Sequence, residues 1–391
     1  MSTATPASAP RANAIRKRHF DSPEMLWYRD PAMVAPIPHE ALARATQLAF
    51  GAGTRITAVE PLSGDASTRR YLRLRLAGGE AATAVAMLLG EGRFLAGSDE
   101  LGGAGAIEEL PFLNVARYLS ARGFPVPAVH ADASREDGLL LLEDVGDLTL
   151  WAAARAAPAR TSDLFGAAVE LLVQLQVAGA RHPDPACYAF RRRFDEHLAR
   201  SELDHFVEHG IETRHGRSLP SAERAALANA LAPVAASFET EALVLSHRDF
   251  MAWNLHVQAG QLRLIDFQDA LLAPDTYDLA ALLTDRTTGT LLTPAIEAAL
   301  LRRFETARAA AGLPVGGDIV SRYRLSALHR ALKVIGRFSF LERVQKKPGY
   351  LAYLPAVYAV ARRMLGALPE LAPLHAHLAT HVPELATNGT G

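Results

Sequence analysis

The stretch that most constrains this chain runs from Leu243 to Leu279, where chemically loaded polar residues are set into an apolar background. In it His247-Arg248-Asp249 is followed by Asn254, and then by Asp266 within Leu264-Ile265-Asp266-Phe267. Asn254-Leu255-His256-Val257 and Leu262-Arg263-Leu264-Ile265 alternate at strand period around Gln258-Ala259-Gly260-Gln261, which predicts a hairpin. A hairpin there returns Asp266 to the side of Asn254. Taken singly, Asp249, Asn254 and Asp266 are ordinary turn residues. Taken in register, they gather two carboxylates and a neutral amide oxygen into one small volume.

That order, His-Arg-Asp, four residues, Asn, then Asp-Phe, matches the catalytic loop and metal element of kinases. Phosphoryl transfer needs a hydroxyl aimed in line at phosphorus while Mg²⁺ neutralises the phosphate charge. Asp249 is therefore predicted to accept the hydroxyl proton. Asn254 and Asp266 are predicted to hold Mg²⁺, because a hard cation takes oxygen ligands.

The rest of the chain excludes more than it adds. Its 391 residues allow two or three compact units. The 49% hydrophobic and 21% charged fractions are those of a soluble globular protein. A net charge of −1 gives no electrostatic reason to expect nucleic acid or an anionic membrane as partner. Cys187 is the only cysteine, so no internal disulfide forms, in keeping with a reducing compartment. The apolar run Phe165 to Ala178 is broken by Glu170, Gln174 and Gln176, so no membrane span is expected. The N-terminus lacks the apolar core of a signal peptide. A cytoplasmic monomer is the expectation.

The predicted fold class is α+β, with two lobes: a small antiparallel-sheet lobe at 37–144 and a larger, mainly helical lobe at 145–391. Residues 1–36 form an extension rich in Pro, Ala and Ser, expected to be largely disordered. A helix is predicted over Ile37 to Gly51, then strands at Ile56–Leu62, Tyr71–Leu76 and Thr83–Leu89. Between the first two strands, the hydroxyls of Ser67 and Thr68 and the charges of Arg69 and Arg70 are placed to cradle phosphates. The third strand lacks the lysine that a kinase usually carries there, so Arg69 or Arg70 is expected to supply its charge. Glu108 and Glu109 are expected as the acidic first turn of a helix running to Arg122. Gly138 to Asp147 reads as a buried strand entering a hinge, with the main chain of Glu143 and Val145 facing the adenine edge. Helices follow at Leu164–Ala178, Arg193–His209, Ser221–Phe238 and Leu325–Phe340, and one amphipathic helix is expected from Tyr350 to Leu378. Arg191-Arg192-Arg193 is expected in solvent, and so is the basic face of His329, Lys333 and Arg337. Asp278 is expected to cap a helix, with a hydrogen bond back to the catalytic loop as the alternative.

With these residues in hand, the chain resembles the aminoglycoside phosphotransferase and choline kinase branch of the protein-kinase-like fold. Within it, the resemblance is to the anomeric amino-sugar kinases of bacterial cell-wall recycling. Its carriers are Gly64-Asp65-Ala66-Ser67 with Arg69-Arg70-Tyr71, Leu140-Leu141-Leu142-Glu143-Asp144, His247-Arg248-Asp249-Phe250 with Asn254-Leu255, Ile265-Asp266-Phe267-Gln268-Asp269, Thr276-Tyr277-Asp278-Leu279 and Leu332-Lys333-Val334-Ile335-Gly336. The resemblance implies ATP and Mg²⁺ as cofactors and a small amino sugar, N-acetylmuramate or N-acetylglucosamine, phosphorylated at its C1 hydroxyl. It assigns Asp249 as base, Asn254 and Asp266 as metal ligands, and Ser67 to Arg70 as the phosphate loop. Arg248, Asp269 and Lys333 are the candidates for the substrate side. Leu88-Leu89-Gly90 and His329-Arg330-Ala331 depart from the family pattern, which has an alanine-proline element and a Gln-Arg pair there. Two alternatives stay open: a kinase for an aminoglycoside, choline-like or homoserine-type hydroxyl, and a nucleotide-binding scaffold without catalysis.

Overall fold

The run Leu139-Leu140-Leu141-Leu142 shows how the molecule is layered. In the computed structural model, which describes residues 36–62, 69–90, 109–240 and 242–386, it is a strand buried along its whole length. Its side chains alternate between two cores, as strand geometry requires. Leu139 and Leu141 join a small core with Leu72, Leu74 and Ala86, while Leu140 and Leu142 join the main core of the larger lobe. Ser67, Thr68, Glu108 and the extension before residue 36 lie outside the described residues.

The first lobe starts with helix α1 (His39–Phe50), which lays Ala41, Leu42 and Ala45 on one face of a five-stranded sheet. Strands β1 (Arg55–Leu62), β2 (Arg70–Ala77), β3 (Thr83–Leu88), β4 (Val129–Ala133) and β5 (Leu139–Leu142) are ordered β1-β2-β3-β5-β4. All its neighbours are antiparallel. Helix α2 (Pro111–Ser120) crosses between β3 and β4, and Pro111 sets its start, where a missing N–H costs nothing. Glu109 therefore lies before the helix and pairs with Arg117 at 2.6 Å instead of serving as an acidic first turn.

Past the hinge come α3 (Leu150–Ala156), α4 (Thr161–Arg181), α5 (Glu196–His205), the short α6 (Thr213–His215) and α7 (Ser221–Ala236). By length and composition, Pro158–Arg181 is the one described helix apolar enough to cross a bilayer, although sequence alone suggested none. That apolar surface is used internally: Phe165, Val169 and Leu172 are fully buried in the main core. Between α5 and α6, Phe206–Glu212 widens into a π-helical turn. It packs beneath Gly336, where an added Cβ would lie 2.7 Å from the Phe206 Cα, so only glycine lets the two helices approach this closely.

Strand β6 (Leu243–Ser246) leads into the catalytic stretch, and β7 (Leu255–Gln258) and β8 (Gln261–Leu264) form the predicted hairpin. Its turn residues Ala259 and Gly260 have φ of 50° and 79°, the double positive φ that matches strand twist in a two-residue loop. Strand β9 (Leu271–Pro274) pairs with β6 and was not visible in the periodicity. Helices α8 (Tyr277–Leu283), α9 (Pro294–Ala310), α10 (Ile319–Ser339), α11 (Leu354–Gly366) and α12 (Ala372–His381) complete the lobe. The last two were expected as one helix; a short 3₁₀ turn beginning at Pro369 separates them.

Candidate active site

Backbone geometry fixes the loop from His247 to Asn254 before any side chain reaches the cleft. Arg248 and Asp266 hold φ of 75° and 66°, a strained region for residues with a Cβ. The buried carboxylate of Asp278 holds the first of these in place. It accepts from the His247 N–H at 2.6 Å and from the Arg248 N–H at 2.9 Å, so it ties down the loop instead of capping its own helix. The His247 ring donates from Nε2 to the Ile265 carbonyl at 2.9 Å, clipping the loop to the residue before Asp266. Burial lowers the His247 pKa, which keeps the ring neutral for this bond.

Asp249, Asn254 and Asp266 are brought together as the hairpin required. The Asn254 amide donates to the Asp249 carbonyl at 2.9 Å and approaches the Asp266 carboxylate at 3.5 Å. Both contacts use its N–H groups, so its carbonyl oxygen takes no hydrogen bond among the described residues. Gln268 donates to Asp266 at 2.9 Å and to Asp269 at 3.2 Å, which gathers a third carboxylate. Burial, aided by the charges of Asp249 and Asp269 against the Gln268 bond, pushes the Asp266 carboxyl up to about 6. A site this rich in uncompensated oxygen donors fits a hard dication. Among the described residues no three His, Cys, Asp or Glu side chains form a metal cage, so such an ion would take its remaining ligands from water and a phosphate-bearing substrate.

Asp249 sits on the cleft floor with its side chain 37% exposed. Burial acts to raise its pKa but is outweighed by the charges of Arg330, Lys333 and Arg248, which bring it down to about 2. Arg330, on α10, reaches Asp249 Oδ1 at 3.4 Å and the Arg248 carbonyl at 3.3 Å. The side chains of Arg248 and Lys333, predicted for the substrate, are instead turned toward Glu202 on α5, at 2.9 and 2.6 Å. The face of α10 expected in solvent is thus buried here: His329 is fully enclosed and donates from Nε2 to the Ala199 carbonyl, 3.1 Å away. Arg192 is likewise drawn inward, onto the Gln268 carbonyl at 3.0 Å.

The other end of the cleft is the hinge. Glu143 spends its N–H on the Ala128 carbonyl. No described group bonds the Glu143 carbonyl or the Val145 N–H, an acceptor and a donor two residues apart. Arg263 of β8 grips the Glu143 carboxylate at 2.5 Å, and Gln258 donates to the Asp144 carbonyl at 3.0 Å. From β2, Arg73 forks onto both Asp144 and Asp147, at 2.7 and 2.6 Å. Tyr71 on β2 is half-buried against the main core, and its hydroxyl is pushed up to about 12 by desolvation and by Asp266. Arg69 contributes a favourable charge at both Tyr71 and Asp266. Arg70 pairs in register with Leu88 on β3.

Sequence reasoning did not find Arg330, Glu202, Gln268 or Arg73. Two of them left a trace. Arg330 stands three residues before Lys333, hence on the same helical face. Arg73 is a charge in mid-strand within Tyr71-Leu72-Arg73-Leu74. Glu202 acts through partners distant in sequence and left none, whereas Gln268 works through its near neighbours Asp266 and Asp269 and was read only as part of the Ile265–Asp269 motif.

Residues 58–313 match the phosphotransferase enzyme family. The N-acetylmuramate/N-acetylglucosamine kinase of Pseudomonas putida is 31% identical over 267 residues, covering 68% of this chain and 75% of that protein. The protein of the same name from Caulobacter vibrioides is 32% identical over 284 residues, covering 70% and 74%. Among solved structures, the choline kinase of Cryptosporidium parvum superposes with a TM-score of 0.57 at 11% identity, covering 86% of this chain and 98% of its own. A spectinomycin phosphotransferase in complex with ADP and spectinomycin gives 0.56 at 15% identity, covering 84% and 99%. The last two bear on the fold alone. From the family match and the two kinase relatives, the chain belongs to the phosphotransferase enzyme family and is a small-molecule kinase with the two-lobed, protein-kinase-like architecture.

Proposed function

We propose that this kinase phosphorylates the anomeric C1 hydroxyl of N-acetylmuramate, N-acetylglucosamine or both, using ATP, in the recycling of cell-wall sugars. The observation that carries the reading is one carboxylate held ionised on the cleft floor beside a separate pair of oxygen donors, Asn254 and Asp266. The choice of acceptor draws on the names of the two bacterial relatives. Residues 37–144 would bind the nucleotide, and 145–391 the metal and the acceptor.

The Glu143 carbonyl and Val145 N–H would meet the adenine edge, with Arg69 nearest the phosphates. Mg²⁺, when bound at Asn254 and Asp266, supplies neutralisation of the phosphate charge. Asp249, with a pKa of about 2, is a weak base. It aims the hydroxyl and takes the proton late, once the oxygen is bonding to phosphorus. An anomeric hydroxyl, more acidic than an ordinary alcohol, suits so weak a base. Orientation and charge stabilisation then carry most of the rate.

The test is a panel of N-acetylmuramate, N-acetylglucosamine, aminoglycosides, choline and homoserine with Mg-ATP, followed by NMR assignment of the phosphorylated carbon. The reading expects a 1-phosphate from an amino sugar. Phosphorylation confined to an aminoglycoside or an amino alcohol, or at a carbon other than C1, would overturn it.

A further inference from the structure

We infer that Arg286 recognises the carboxylate of an acidic acceptor, which makes it the residue that separates N-acetylmuramate from neutral amino sugars. The inference rests on the acceptor reading above.

Arg286 follows α8, between two residues that reach toward the Asp249 loop. Trp253, four positions beyond Asp249, stacks on Trp151 with centroids 4.6 Å apart. Its indole N–H donates to Thr287 Oγ1 at 2.9 Å, which joins the catalytic loop to the residue next to Arg286. On its other side, the charge of Asp285 is felt by Arg330, the same arginine that touches Asp249. Arg286 thus lies between two residues that each connect, one through Trp253 and one through Arg330, to the surroundings of Asp249.

Its guanidinium is short of hydrogen bonds for its position. The side chain is only 12% exposed, and its Nε is buried with no hydrogen-bond partner. Its ion pair is a loose one, 3.5 Å to Asp285 Oδ2, and the other oxygen of that carboxylate accepts from the N–H and hydroxyl of Thr287. The guanidinium carbon lies 4.9 Å from the Tyr353 ring centre and 5.5 Å from that of Phe338. Aromatic faces hold an arginine in place without consuming its donors. The neighbouring cations are already engaged: Arg248 and Lys333 on Glu202, and Arg330 on Asp249. A buried arginine fork with open donors is suited to a carboxylate, which it can bind through two parallel bonds.

N-acetylmuramate differs from N-acetylglucosamine by a lactyl ether at C3, so it carries such a carboxylate one pyranose ring away from the reacting hydroxyl. The experiment compares kcat/KM for N-acetylmuramate and for its lactyl carboxamide, which has the same shape without the charge, in wild type, Arg286→Gln and Arg286→Lys. A charged hydrogen bond lost from a desolvated site is worth roughly 10- to 100-fold. Wild type should prefer the acid over the amide by about that factor. Arg286→Gln should erase the preference, and Arg286→Lys should keep part of it. Because each protein serves as its own reference, a general loss of folding leaves the ratio unaffected. An unchanged ratio in Arg286→Gln, or no preference in wild type, overturns the inference while leaving the kinase reading in place. A wild-type enzyme that phosphorylates neither amino sugar overturns both.

Discussion

Glu202→Gln tests whether the catalytic loop rests on a buried ionic pillar. The Glu202 carboxylate is 4% exposed and bonds Arg248, itself 3% exposed, and Lys333, 13% exposed. Removing its charge takes a buried carboxylate away from two enclosed cations, and breaking a buried pair costs about 3–5 kcal/mol. A second route gives a similar size. Burial raises the Glu202 pKa, but Lys333, Arg248 and His329 outweigh it and bring it from 4.5 to about 2. At about 1.4 kcal/mol per unit, that shift corresponds to about 3 kcal/mol of folding stability. The folded pKa lies below the unfolded one, so the contribution is complete above about pH 4.5 and fades as pH falls toward 2. Urea denaturation of both proteins at pH 7 should show the variant less stable by about 3 kcal/mol, with the gap narrowing below pH 4.5. A gap under about 1 kcal/mol at pH 7, or one that does not change with acid, would refute the pillar.

Three further outcomes follow from the site. Asp266→Ala should remove the Mg²⁺ dependence of nucleotide binding in calorimetry; an intact metal requirement would show that the ligand assignment is wrong. Arg69→Ala should weaken ATP binding about tenfold, the worth of one charged hydrogen bond, and more than Arg70→Ala does, because the charge of Arg69 is the one felt at Asp266. Wild-type affinity in both variants would leave the missing third-strand lysine without a substitute. Arg330→Gln removes the foremost charge holding Asp249 down, so burial should raise that carboxyl by about one to two units. The acid limb of kcat/KM should then move up into the measurable range, and coincident profiles for variant and wild type would count against the Arg330 assignment.

What the sequence disclosed and what it withheld divide along a physical line. The hairpin between Asn254 and Asp266 was legible because strand periodicity and a Gly-containing turn are local properties. Four strands of the five-stranded sheet were legible for the same reason, β4 was not, and strand alternation shows in the way Leu139 to Leu142 divide between two cores. The basic face of α10 was misread because exposure depends on what packs against a helix. Nothing local indicates that Glu202, 131 positions before Lys333, will lie opposite it. Asp278 was assigned to a helix end by the same local logic, whereas its partners lie some 30 residues upstream. Arg286 offered only a charge next to an aspartate, and its meaning comes from Tyr353 and Phe338 arriving from later helices.

The most direct test of the account is single-turnover phosphoryl transfer by Asp249→Asn, read beside its affinity for Mg-ATP. Asp249 is assigned to the acceptor hydroxyl, and Asn254 with Asp266 to the metal, so the two functions should separate. The account predicts Mg-ATP affinity within about threefold of wild type and transfer slowed by 10²-fold or more, the usual worth of a positioned base. Transfer at a near-normal rate, or nucleotide affinity lost together with turnover, would contradict it.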